Sequence, residues 1–171
     1  MIYLKIIKTP IGELTLISAQ GKITSIYFEG REDEEILKAA TKSKDPLLEE
    51  TAGQIKNYFN YKLVEFKLPL NPLGTSFQRK VWKVLTQIPY GRTISYGEQA
   101  QMLGDSKKAR AVGGANGKNP IPLVIPCHRV IGKSGDLTGF GGGIKIKKFL
   151  LDFEASNPLK KLSKPHIQMT L

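Results

Sequence analysis

The chain is short of the residues that staple small folds together. Of its 171 residues, one is cysteine and two are histidine, which rules out an intrachain disulfide and leaves too few soft ligands for a structural zinc. No apolar run approaches the ~18 residues of a membrane span, and the opening MIYLKIIKTPIG is too short and interrupted for a secretory leader. These absences point to a cytoplasmic protein with no membrane partner and no metal. Acidic residues are scarce in one half only. Residues 1–74 hold ten Lys/Arg and ten Asp/Glu, whereas residues 75–155 hold thirteen against five, and the last sixteen residues add three lysines. A net charge of +11 segregated in this way is expected to meet a polyanion rather than merely to solvate a surface.

Turning to what is present, YLKIIKT, ELTLIS and KITSIYF are three short β-branched segments separated by Pro10–Gly12 and Gln20–Gly21, the pattern of an antiparallel meander. Residues 32–42 are a charged helix. Asp45 is placed to cap a second helix with Pro46 at its first turn and Leu48, Ile55, Tyr58 and Phe59 on its apolar face. LPLNPLG (68–74) has no periodicity and is the natural boundary. Beyond it, a helix begins at Ser76, Ser95 and Glu98 form a capping-box pair in SYGEQAQMLG, and Asp105–Ser106 introduces KKARAVGGANGK. Two short helices joined by a tight glycine-containing turn make a helix-turn-helix.

The expected architecture is therefore α+β. A small N-terminal α/β support domain (1–67) carries a three-stranded antiparallel sheet. A linker (68–75) leads to a mainly helical, winged-helix-like domain (76–155) for DNA binding, and a basic tail (156–171) follows. In the second helix of the pair, Ala111, Gly113 and Gly114 leave a smooth face where a backbone could approach a partner closely, and Lys107, Lys108 and Arg110 offer phosphate contacts.

The thiol lies in NPIPLVIPCHRVIG (119–132). Ile121, Leu123, Val124 and Ile125 read as a buried extended run kept out of a helix by Pro120, Pro122 and Pro126, so Cys127 is expected at the end of a rigid strand. His128 is an adjacent base, although neighbours on a strand face opposite ways, so it would reach the sulfur only around a bend or through a water. Asp152 or Glu154, in IKIKKFLLDFE, could orient the imidazole.

The segment RAVGGANGKNPIPLVIPCHRVIGKSGDLTGFGGG (110–143), with ISYGEQA upstream and FLLDFE downstream, closely resembles the signature of the methylated-DNA–protein-cysteine methyltransferases, or O6-alkylguanine-DNA alkyltransferases. The resemblance covers residues 75–154. It implies that Cys127 is the alkyl acceptor, that His128 activates it through a water, and that Glu154 orients His128. Tyr96 would help neutralise the departing guanine, Asn119 would tie the recognition helix to the active segment, and Arg110 would enter the base stack. The helix 107–118 would lie in the minor groove. Pro122, Val130, Phe140, Gly141 and Gly142 would form the substrate pocket. Phe140 stands where many members have tyrosine, and Gly141 where serine is common.

The implied reaction is stoichiometric, irreversible repair of O6-alkylguanine in double-stranded DNA by a monomer with no cofactor. O4-alkylthymine is the alternative lesion. The competing readings are a non-catalytic helix-turn-helix regulator or lesion sensor, which could dispense with Cys127, and a cysteine hydrolase, which would turn over repeatedly.

Overall fold

The computed structural model describes residues 1–163. Strands β1 (Ile2–Thr9), β2 (Gly12–Ala19) and β3 (Lys22–Phe28) form the expected meander, with Leu4 opposite Ile17 and Leu16 opposite Ile26. The β2–β3 turn places Gln20 (φ 52°) and Gly21 (φ 71°) in the left-handed region, the two-residue geometry that matches strand twist. After helix α1 (Glu34–Ala39), which is capped by the Asp33 carboxylate, the two-residue strand β4 (Thr41–Lys42) runs parallel to β1. The sheet therefore has four strands in the order β3-β2-β1-β4, not the expected three. A two-residue exposed strand carries no period-2 signal, which is why the sequence conceals it.

Helix α2 (Pro46–Phe59) buries Leu48, Thr51, Ile55, Tyr58 and Phe59, and Leu48 and Ile55 join Leu14 and Leu16 of β2 in the core. Asp45 does not cap it as expected, because its carboxylate accepts from the Ser18 hydroxyl of β2 instead. The stretch 68–74 is laid along β3: the Ile23 amide donates to the Pro69 carbonyl at 2.9 Å, and Asn71 donates to the Ile23 carbonyl at 2.8 Å.

Helix α3 (Ser76–Leu85) starts from a Thr75–Gln78 capping box and buries Trp82, whose indole N–H donates to the Ala115 carbonyl at 2.8 Å. Strand β5 (Ile94–Ser95) leads into α4 (Tyr96–Met102), where the Ser95–Glu98 box is formed. The segment expected as one helix over 107–118 divides into a 3₁₀ turn (Ser106–Lys108), capped by Asp105, and α5 (Ala109–Gly117). Gln99 of α4 and Asn116 of α5, both buried, exchange reciprocal amide hydrogen bonds of 2.9 and 2.7 Å that lock the pair. Strand β6 (Val130–Ile131) pairs with β5, and α6 (Ile144–Ser156) closes the core. Of the expected tail, Pro158–Leu162 forms a 3₁₀ helix and the Ser163 hydroxyl accepts from the Tyr90 amide; residues 164–171 lie outside the described residues. Among the described residues, no helix is long and apolar enough to cross a membrane.

Candidate active site

Residues 120–126 do not form the expected strand. They fold into a compact buried turn in which Ile125 donates to the Ile121 carbonyl at 2.9 Å, Cys127 donates to the Ile125 carbonyl at 2.8 Å, and Leu123 takes φ 72°. A short apolar run between prolines excludes a helix but does not distinguish a strand from a packed turn. Cys127–Arg129 then form a single 3₁₀ turn, so the thiol and the imidazole are set by a bend rather than by strand alternation. Asn119 holds the turn from its open side. Its amide donates to the Ile125 carbonyl at 2.8 Å, and its oxygen accepts from the Ile121 amide at 3.0 Å.

Cys127 is 6% exposed. Burial pushes its thiol up to about 11, while the Asn119 amide and the charge of Lys147 pull the other way. His128 is fully buried, and its Nε2 lies 2.8 Å from Glu154 Oε1. Asp152, the alternative acid, faces solvent and pairs with Lys148. Burial lowers the imidazole below its ordinary value; Glu154 opposes that, and Arg129 and Lys147 reinforce it.

Glu154 collects five donors. Oε1 accepts from Tyr58 Oη at 2.8 Å, His128 Nε2 at 2.8 Å and Arg129 Nη2 at 2.9 Å, and Oε2 accepts from Arg129 Nε at 2.9 Å and the Gly91 amide at 3.2 Å. Burial alone would raise this carboxyl, but His128, the charge of Arg129 and the hydrogen bonds of both hold it well below the usual range. A permanent carboxylate only accepts, so Nε2 carries the imidazole proton. His128 Nδ1, buried and without a hydrogen-bond partner, is left with its lone pair.

Sequence reasoning overlooked several members of the site. Tyr58 arrives from 96 residues away, Arg129 was unassigned, and Lys147 is a buried ammonium that donates to the carbonyls of Val130 at 2.6 Å and Thr138 at 2.9 Å. Only Lys147 left a signal, as a lysine at an apolar-face position of α6.

A cleft of about 220 Å³ opens beside Cys127, lined by Asn116, Asn119, Pro122 and Gly141 and, from the N-terminal sheet side, by Tyr27 and Arg31. Of the expected pocket residues, Pro122 and Gly141 line it. Val130 is fully buried opposite Ile94 in the β5–β6 pair. Phe140 packs edge-on against Phe28 with ring centroids 5.5 Å apart, and Gly142 lies against both rings. The Tyr96 hydroxyl donates to the Thr138 carbonyl at 2.9 Å, and its ring faces Gly113. Lys107, Lys108, Arg110, Ala111 and Gly114 are exposed together along the start of α5. A side chain at Gly114 would meet nothing, so packing does not require that glycine.

Fold and site together define a thiol-dependent protein built on a helical DNA-binding scaffold. Residues 76–156 match the model of the 6-O-methylguanine DNA methyltransferase DNA-binding domain, and residues 2–72 match that of the ribonuclease-like domain of the same proteins. The chain is 44% identical to the methylated-DNA–protein-cysteine methyltransferase of Methanosarcina barkeri, covering 91% of this chain and 98% of that one, and 46% identical to that of Mycobacterium bovis over 91% and 94%. The solved Mycobacterium tuberculosis O6-methylguanine methyltransferase superposes with a TM-score of 0.85 at 45% identity, covering 92% and 94%; Mycobacterium tuberculosis OGT solved in complex with DNA gives 0.82 at 44%, covering 91% and 94%. The chain belongs to the methylated-DNA–protein-cysteine methyltransferase family. It is an enzyme of DNA repair by alkyl transfer, and Cys127 is its only cysteine.

Proposed function

We propose that the protein moves the alkyl group of O6-alkylguanine in duplex DNA onto Cys127, once per molecule. The observation that carries this reading is the sole cysteine on one 3₁₀ turn with an imidazole whose Nε2 is held protonated by a carboxylate and whose Nδ1 has no hydrogen-bond partner. His128 Nδ1 takes the thiol proton through one intervening water. The thiolate attacks the alkyl carbon in line, an S–C bond forms as the C–O6 bond breaks, and guanine leaves with the electron pair. The Tyr96 hydroxyl, at the start of α4, helps neutralise the departing base. Guanine is restored in the DNA, and the thioether left on Cys127 has no easy leaving group, so the protein is consumed.

The alkylated oxygen lies within the duplex, so the nucleotide is turned out into the cleft beside Cys127, and a poorly paired lesion costs less to extrude. Arg110, exposed on α5, fills the gap in the stack from the minor-groove side, where its planar guanidinium replaces lost stacking. Lys107 and Lys108 meet phosphates, and the small exposed Ala111 and Gly114 allow a close approach. The protein acts as a monomer in the cytoplasm and needs no metal or cofactor.

The test is intact mass before and after mixing with a duplex containing O6-methylguanine, with peptide mapping of the adduct. One methyl per chain, on Cys127, is expected, with no further turnover on excess substrate. Catalytic release of the methyl group, or a Cys127→Ala protein that still clears it from DNA, would overturn the reading.

A further inference from the structure

We infer that Tyr58, supplied by α2 of the N-terminal half, is a positioning residue for alkyl transfer that acts through Glu154 to keep His128 neutral. The inference rests on the reading that His128 is the base for Cys127.

The ring of Tyr58 is enclosed by aromatic neighbours, with centroids 5.0 Å to Phe59, 5.5 Å to Phe66, 5.8 Å to Tyr90 and 5.4 Å to Phe153. Phenylalanine would satisfy that packing. The hydroxyl is what differs, and its hydrogen bond is 2.8 Å to Glu154 Oε1, the same oxygen that receives His128 Nε2. Burial, and then the charge of Glu154, pushes this phenol well above its ordinary value, so it stays a neutral donor at every pH at which the protein works.

The consequence follows from electrostatics. A donor dipole aimed at a carboxylate oxygen draws on the charge that oxygen can offer a second donor. The charged and titratable groups facing His128 are Glu154 and Lys147 from α6, Arg129 from its own turn, and Tyr58 from α2 behind Glu154. Glu154 favours the imidazolium and the others oppose it. An imidazolium has no lone pair at Nδ1 to take a proton, so a Glu154 left too basic would disable the base. Tyr58 tempers that carboxylate, and it does so from the part of the chain otherwise read as support.

The experiment measures the single-turnover rate of methyl transfer from an O6-methylguanine duplex for the whole protein and for Tyr58→Phe between pH 5 and 9. Loss of the hydroxyl strengthens the pull of Glu154 on the imidazole proton, so the acid limb of the profile moves to higher pH by about half a unit or more, roughly threefold in rate on the falling part of that limb. A Phe66→Leu variant removes an aromatic neighbour of Tyr58 without touching the hydrogen bond. It should lower Tm and leave the acid limb in place. An acid limb that stays put in Tyr58→Phe, or moves equally in Phe66→Leu, would overturn the inference. Failure of the unmodified protein to alkylate Cys127 would instead sink the reading beneath it.

Discussion

Cys127 rests as a neutral thiol. With burial raising it to about 11, roughly one molecule in a thousand is thiolate at pH 8, so the sulfur is protected until its proton is taken. Iodoacetamide should therefore modify Cys127 more slowly than free cysteine at pH 8, with a rate that keeps rising about tenfold per pH unit to pH 10. A plateau near pH 8.5, read by intact mass, would contradict that environment. The acid side belongs to Glu154 and His128. Glu154 titrates lower folded than unfolded, so its stabilisation is complete above its ordinary value of about 4.3 and is lost as pH falls below it. His128 is also lowered, so the unfolded chain binds more protons below about 6.5, and stability begins to fall there. Glu154→Gln should cost about 3 kcal/mol in denaturant melts at pH 7, because Arg129 is left buried without its bidentate partner. A loss below about 1 kcal/mol would show that the network relaxes freely. Only part of this chemistry was legible in the sequence. Cys127, His128 and Glu154 stood in a motif, as did Arg129 without a role, whereas Tyr58 takes its role from a contact across 96 residues that no local pattern encodes.

Among the elements, the turn at 120–126 shows where local patterning stops being informative. The backbone groups of Ile121 and Ile125 are satisfied by Asn119 and within the turn, and Leu123, 1% exposed, is held in a backbone region that costs a non-glycine residue about 1–2 kcal/mol. Helix-favouring signals were readable because caps and 3.6 periodicity are local: Ser95 and Glu98 formed their box, and α3 began at Ser76. The turn's shape depends instead on what encloses it. Asn119→Ala should cost about 1–3 kcal/mol by stranding the Ile125 carbonyl and Ile121 amide, and should slow methyl transfer beyond what the lost stability explains. Unchanged transfer at full occupancy of the fold would remove Asn119 from the machinery. Helix α5 carries its own prediction. Arg110→Ala should slow repair in duplex DNA far more than reaction with a free O6-alkylguanine base, and DNA affinity should fall steeply with salt. Equal losses on both substrates, or a flat salt response, would argue against gap filling and phosphate contact.

At the scale of the whole molecule, the two halves are joined at the site itself. The Ile26 amide of β3 donates to the Pro120 carbonyl at 2.9 Å, Phe28 packs on Phe140, and Tyr58 reaches Glu154. Alkylation of Cys127 is therefore expected to be felt by both halves at once. The sulfur is only 6% exposed and backed by the packed turn at 120–126, so a methyl that turns away from the cleft overpacks that turn, and the spent protein should melt several degrees below the fresh one. Equal melting would mean that the cleft absorbs the group. The long reach from Tyr58 to Glu154 has a further consequence during synthesis. Cys127 leaves the ribosome 27 residues before the carboxylate that arms its neighbour, and longer still before α6 has folded against α2. On the proposed reaction, methyl transfer should therefore begin only once α6 is in place, and a growing chain is not yet a repair molecule.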